Sequence, residues 1–353
     1  MVWSLKVSRQ ASSITRISVA LGCALLAAWF ASVACAQESD GWRDPSKHQV
    51  RFVTVDEDVR LEVLDWGGTG RAIVLLAGSG NTAHVFDDFA PKLTDCCHIY
   101  GITRRGFGAS SQPASGYDDQ RLANDVLKVL DSMNLKAPVL VGHSMAGGEL
   151  TTLGNQHSDR LAGLVYLDAL GDPGDFPADD SAFMALVEKQ PAGKRQASHP
   201  ALDSSSFAAF RASQLKGLNY AFPEAELRNG RITGPEGGMG RRRTPQSTFI
   251  AIGKGQIKRD YSHIRVPVLA FLEFPRPTYD AQLDRYEAKN DDERAAIEAA
   301  NRAGAAYVER WIKDLTVAVP GAHLINLPGA GHYVFLTRES AVIKELRSFV
   351  AGL

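Results

Sequence analysis

From Ala72 to Ala169 the chain alternates short apolar runs with stretches of helical period, and few folds accommodate that rhythm. AIVLLAG is apolar throughout, and HVFDDFAPKL follows with a helical pattern. HIYGITRRG reads as a strand, and QRLANDVLKVLDSMNL places Leu122, Val126, Val129 and Leu130 on one side of a helix. PVLVGHS (strand), MAGGELTTLGNQ (helix) and LAGLVYLDA (strand) complete the series. A strand that is apolar on both faces must be covered on both. Helices between the strands supply that cover, so the pattern predicts parallel pairing through right-handed crossovers. Two partly alternating runs, QVRFVTV and VRLEVLDWG, come first and are expected as exposed-edge strands leading into the buried one.

After Asp168 the rhythm breaks. Roughly 95 residues pass before the next continuous apolar strand, VPVLAFLEF, which is too long for a simple connection. The interval holds the short helical patterns SAFMALVEKQ and SFAAFRASQLKG and the glycine-rich stretch GPEGGMGRRRTP. It is expected to be a helical cap, residues 171–262, splitting a core of residues 37–170 and 263–353. A long Ala-, Glu- and Arg-rich helix over 291–315, the strand within HLINLPGAGHYVFL and the helix ESAVIKELRSFV close the chain.

Residues 1–36 are expected to be a signal peptide. Lys6, Arg9 and Arg16 precede the apolar run ISVALGCALLAAWFASVACA, and Ala34-Cys35-Ala36 forms a small-x-small cleavage site. The expected destination is the periplasm or the exterior, with no stable membrane span after cleavage. An uncleaved anchor is the alternative, since the apolar run is near the length of a bilayer span. Lipid attachment at Cys35 is a third reading, disfavoured by Ser32 three positions earlier. Cleavage after Ala36 leaves Cys96 and Cys97, neighbours that could close only a strained ring, so the fold must be held by its core.

Composition matters here for what it excludes. The net charge is −1, and the densest basic run, Arg241-Arg242-Arg243, is read as a solvated loop, so no nucleic-acid partner is expected. No metal-ligand spacing stands out. LLAGSGN lacks the glycine spacing and acidic partner of a dinucleotide site, so no cofactor and no metal are expected.

The stretch VLVGHSMAGGEL carries the chemistry. It reads as a strand that ends at Ser144 and turns at once into a helix. A serine hydroxyl is a weak nucleophile. It needs a base, a group to hold that base, and amide donors for the oxyanion. A tight strand-to-helix turn exposes the hydroxyl and needs small flanking residues, here Gly142 and Ala146. The usual pattern is G-x-S-x-G, and this chain differs from it by one methyl group.

With LLAGSGN after the third strand, RRGFGAS after the fourth, GHSMAG after the fifth and PGAGHYVF near the C-terminus, the chain resembles the α/β-hydrolase superfamily over about residues 49–350. The resemblance implies an α/β fold, a mostly parallel twisted sheet flanked by helices, with a helical cap after strand 6. It implies Ser144 as nucleophile and His332, in the loop after the last strand, as base. It leaves the acid between two loops. The one after the seventh strand reads FLEFPRPTYD, with Pro275 and Arg276 where the acid is expected. The end of the sixth strand carries Asp168. Asp168 is therefore taken as the acid, with Glu273 and then Asp280 as alternatives. The oxyanion donors implied are the amides of Met145 and Ser79. Arg104 and Arg105 are expected to stabilise a turn, and His143 to point away from Ser144. The expected activity is hydrolysis of a small-molecule carboxylic ester. Phe183, Met184, Leu186, Phe207 and Phe210 of the cap would shape the acyl pocket. An acyltransferase or a cofactor-free perhydrolase on the same residues, or a binding protein without turnover, are the alternatives. Oligomeric state is not legible.

Overall fold

A computed structural model describes residues 41–172, 202–234, 236–274, 288 and 290–353. Asp44–Leu353 is one compact unit; of the stretch before it, residues 41–43 are described. The signal-peptide and lipid-site readings lie outside the described residues, as do SAFMALVEKQ and Asp280.

The framework is an eight-stranded sheet. Its strands are β1 (Gln49–Asp56), β2 (Val59–Gly67), β3 (Arg71–Leu76), β4 (Cys97–Ile102), β5 (Val139–His143), β6 (Gly163–Leu167), β9 (Val268–Leu272) and β10 (His323–Asn326). Their order is β1-β2-β4-β3-β5-β6-β9-β10. β1 pairs antiparallel with β2, and β2 with β4. Every later pairing is parallel. β2 is not an edge strand: it lies between β1 and β4 and is buried from Leu61 to Trp66. HVFDDFAPKL forms two short 3-10 turns, Ala83–Phe86 and Ala90–Leu93, rather than one helix. Pro91 has no amide hydrogen to continue a helical ladder.

β5, β6 and β9 are buried along their whole lengths, each sandwiched between two apolar layers. One layer includes helix α1 (Asp119–Ser132), whose Leu122, Val126, Val129 and Leu130 are buried as their spacing predicts. Asp118 caps its start by accepting from the amide of Arg121 at 2.8 Å. Helix α2 (Ala146–Gln156) packs beside it. Gly148 allows this approach, because a Cβ there would sit 2.5 Å from Asp119 Oδ1 at the start of α1.

The described part of the insertion holds α3 (Phe207–Leu218), α4 (Glu224–Gly230), the antiparallel pair β7 (Arg231–Thr233) and β8 (Met239–Arg242), and α5 (Gln246–Gly255). It is thus not wholly helical. Gly237, at φ +80°, closes the hairpin, and the Gly237-Gly238 pair was its only sequence signal. The long helix α6 spans Asp291–Ala318, and α7 (Val334–Thr337) and α8 (Glu339–Ala351) end the chain. No described helix is long and apolar enough to cross a membrane.

Candidate active site

The strand order reverses beside β3: β4 lies on one side and β5 on the other. Loops leaving the C-terminal ends of β3 and β5 therefore diverge and open a crevice there. Ser79 follows β3, Ser144 follows β5, Asp168 follows β6, Glu273 follows β9 and His332 follows β10.

Ser144 sits at φ +56°, in the left-handed region that a serine occupies only when its surroundings force it. Its amide donates to Leu167 O at 3.2 Å, and its carbonyl accepts from Gly147 at 3.0 Å, so the turn is held on both sides. The alanine at the usual glycine position fits because Gly142 is opposite: a Cβ on Gly142 would lie 3.0 Å from the Ala146 methyl. The turn tolerates one methyl group at that point, not two.

The structure brings Ser144, His332 and Asp168 together across 188 residues of chain. His332 Nε2 is 2.9 Å from Ser144 Oγ, and His332 Nδ1 is 2.6 Å from Asp168 Oδ2. The carboxylate side chain is 6% exposed and the imidazole 44% exposed, so Asp168 is held inside while His332 is open to solvent. Asp168 also has positive φ, +47°, and its amide donates to Phe271 O at 2.8 Å. Glu273 is elsewhere engaged: its Oε2 accepts from the amide of Gly331 at 3.0 Å and so holds the loop that carries His332. Adjacent parallel strands both end in a carboxylate. One reaches the imidazole, and the other anchors the backbone beside it.

Ser79 and Met145 carry the amides expected as oxyanion donors. Among the described residues neither amide donates to an acceptor. Gly78 brings the two loops together, since a Cβ there would be 3.0 Å from Ser144 Cβ. Arg104 supports this region by donating to Ala77 O (3.0 Å) and pairing with Glu149 (2.5 Å). Arg105 forks onto Asp125 at 2.6 and 2.7 Å. Arg104 thus holds the end of β3, and Arg105 ties its own turn to helix α1.

Several residues of the site carry no sequence signal. His143 lies against His332: its ring centroid is 4.6 Å from that of His332, and its Nε2–H donates to His332 O at 3.0 Å. Burial, then the nearby His332, pushes its pKa down to about 3, so it is a neutral brace. Glu226 of α4 reaches from the cap into the oxyanion loop. It accepts from Asn81 Nδ2 (2.8 Å), Thr82 Oγ1 (2.5 Å) and the Thr82 amide (3.1 Å). Asn81 Oδ1 in turn accepts from Tyr333, the neighbour of His332, at 3.1 Å. Burial pushes Glu226 up to about 7 against those hydrogen bonds. A pocket of about 180 Å³ opens beside this chain of contacts, bounded by Ser79, Phe210, Arg231, Arg242, Phe249 and Tyr333. Phe210 is thus the one residue of the expected acyl pocket placed there. Phe207 is buried under the Arg228 guanidinium, 4.5 Å from its ring, and Phe183, Met184 and Leu186 lie outside the described residues.

One other group has metal-ligand composition. Asp44, His48, His84 and Asp87 each place a ligand atom within 4.8 Å of the others. The spacing 44/48/84/87 gave no sequence motif, because the two halves meet only in the fold. In this structure Asp87 engages both imidazoles, at 2.9 Å each, and the Trp66 indole at 3.0 Å. Burial alone would lower the His84 pKa. Hydrogen bonds and charge from Asp87 and Glu62 overcome this and push it up to about 10. A metal ion here would have to displace that proton.

A family model described as the alpha/beta hydrolase family matches residues 73–345. The non-heme chloroperoxidase CPO-A1 of Kitasatospora aureofaciens is 33% identical over 120 residues, which is 33% of this chain and 43% of that protein. Such matches span less than half the length of the curated relatives. Among solved structures, E-2-(acetamidomethylene)succinate hydrolase superposes with a TM-score of 0.61 at 18% identity, over 86% of this chain and 99% of that one. An esterase from Exiguobacterium antarcticum gives 0.56 at 18%, over 86% and 100%. The two structural likenesses speak to fold alone. Family match, strand order and the serine turn after β5 agree, and the chain belongs to the alpha/beta hydrolase family.

Proposed function

We propose that the protein is a serine hydrolase of small carboxylic esters. The observation that carries this is the line Ser144 Oγ, His332, Asp168, with contacts of 2.9 and 2.6 Å. In the proposed reaction Ser144 Oγ attacks the ester carbonyl and His332 Nε2 takes its proton. The carbonyl π electrons move onto oxygen, which the amides of Ser79 and Met145 receive. The tetrahedral intermediate then collapses, the C–O bond breaks, and His332 returns the proton to the leaving alcohol. Water repeats the sequence on the acyl-enzyme and releases the acid. Asp168 orients the imidazole throughout. Esters are preferred to amides because an alkoxide needs the least help to leave.

The solved esterase and the hydrolase of an acetamidomethylene compound are consistent with acyl transfer to water on this fold. Likeness to a non-heme chloroperoxidase favours a second reading in which hydrogen peroxide replaces water and a peracid is released. Competition between peroxide, short alcohols and water, with product analysis, separates the two. The cleavage after Ala36, export to the periplasm or beyond, and the core–cap boundaries at 170/171 and 262/263 belong to the same proposal. The central test is Ser144→Ala. It should abolish hydrolysis of short p-nitrophenyl esters and fluorophosphonate labelling while leaving the circular dichroism spectrum unchanged. Turnover at the parent rate would end the proposal.

A further inference from the structure

The hairpin of the insertion places two like charges directly opposite each other: Arg231 of β7 pairs with Arg242 of β8 in register. Like charges across a strand pair destabilise it, so such a pair calls for a compensating group. The surrounding arginines have partners. Arg228 pairs with Glu224 at 2.7 Å, Arg211 lies 3.4 Å from Asp88, and Arg243 donates to the carbonyls of Arg228 and Arg231. Arg231 instead uses one N–H on Gly240 O (3.2 Å), and Arg242 lies over the Phe249 ring, 5.3 Å from its centroid. Among the described residues no carboxylate pairs with either guanidinium. Burial, then the charge of Arg242, holds Arg231 below its ordinary range.

Both arginines line the pocket bounded by Ser79, on the loop that Gly78 brings against Ser144, and by Tyr333, the neighbour of His332. Arg242 is close to the oxyanion loop: its Nη1 lies 3.9 Å from where a Cβ on Gly80 would be. The acid of this pocket, Glu226, is already committed to Asn81 and Thr82 and supplies no partner. Arg242 is exposed like its neighbours Arg241 and Arg243, yet its guanidinium lies at the wall of this pocket, so one member of the basic run borders it from the solvent side.

We infer that Arg231 and Arg242 form an anion subsite for a carboxylate borne by the substrate, a short chain away from the scissile carbonyl. A guanidinium pair binds a carboxylate through charge-assisted, directional hydrogen bonds. A pocket of about 180 Å³ is below the range that holds drug-sized ligands, and suits a short carboxylate-ended chain better than a long alkyl one. The substrates are then half-esters of short dicarboxylic acids. This inference rests on the serine-hydrolase reading above and names its substrate class.

The test compares p-nitrophenyl butyrate with mono-p-nitrophenyl glutarate in the parent protein and in Arg231→Gln, Arg242→Gln and the double variant. The parent should prefer the anionic ester by at least ~10-fold in kcat/KM. Each single variant should cut that ratio by about 10-fold, mainly through KM, and Arg242→Lys should recover part of it. Raising salt should lower the ratio in the parent and not in the double variant. A ratio that stays within twofold across the variants overturns the subsite and leaves the serine reading standing. Calorimetric binding of glutarate to the Ser144→Ala protein separates the two claims. Binding that disappears on adding Arg242→Gln supports the subsite even if no ester is turned over, and binding that persists overturns it.

Discussion

Two pairs of neighbouring histidines lie among the described residues, and the buried member of each differs in charge: one is a cation, the other neutral. His48 and His84 have ring centroids 5.0 Å apart, and His143 and His332 have theirs 4.6 Å apart. His84 and His143 are equally inaccessible, at 3% and 1% exposure. Burial alone would leave both neutral. His84 faces Asp87 and Glu62, with Asp44 at 3.7 Å, and is driven to about 10. His143 faces a carbonyl, the Tyr333 and Phe335 rings and a second imidazole, and falls to about 3. Depth sets the size of the desolvation penalty; the partner decides whether it is overcome. The first pair is a charged tie between the N-terminal end of the unit and the sheet. In the second, His143 is a neutral brace against His332, the base of the proposed reaction.

The largest expected effect comes from removing Asp168, the carboxylate that among the described residues reaches the second pair. Asp168→Asn should lower kcat for ester hydrolysis by about 10³–10⁴-fold, because an amide cannot fix the imidazole tautomer. KM and the unfolding midpoint should change little. A loss of less than tenfold would transfer the orienting role to another group, and Glu273→Gln would then be the variant to examine.

The same carboxylate marks where sequence reasoning succeeded and where it stopped. Ser144, Asp168 and His332 were legible because each stands at a strand end, where the switch from apolar run to glycine-rich loop is a local signal. The sequence already favoured Asp168 over Glu273, and the coordinates set Asp168 against the imidazole and Glu273 against the Gly331 amide. β6 and β9 are neighbours in one sheet, so their terminal carboxylates look alike until the loop carrying His332 is placed. Glu226, Arg231 and Arg242 were not legible as site residues, because their relation to the oxyanion loop spans about 145 residues and depends on how the insertion folds back. The insertion has weak helical periodicity and a hairpin whose turn is only a glycine pair, so nothing local fixed its path. The His48–His84 tie was invisible for the same reason.

The charged tie predicts a change in stability without a change in chemistry. Asp87 accepts from two imidazoles and an indole, and Asn at this position could not accept from all three. Breaking a buried pair by removing one partner costs about 3–5 kcal/mol. Asp87→Asn should therefore lower the urea midpoint markedly and leave kcat within about twofold. If the loss in stability were below ~1 kcal/mol, the tie would be decorative. If kcat fell in step with stability, the two regions would not be independent.

The smallest effect tests the opposite signs directly, through the pH dependence of unfolding. His84 has a folded pKa raised above its usual value of 6.5, so its contribution is fully present below 6.5 and is lost as pH rises through about 10. His143 has a folded pKa lowered to about 3. Between 3 and 6.5 the unfolded chain binds more protons at this site, and stability falls as pH drops through that window. The two effects together put a stability maximum near pH 6.5. Each limb should account for about 1–3 kcal/mol, well under the ceiling of ~1.4 kcal/mol per pKa unit. His84→Gln should flatten the alkaline limb and leave the acid limb, and His143→Gln should do the reverse, both read from urea midpoints at half-unit steps of pH. If both variants flattened the same limb, burial would be ruling both sites, and the distinction between a charged tie and a neutral brace would fail.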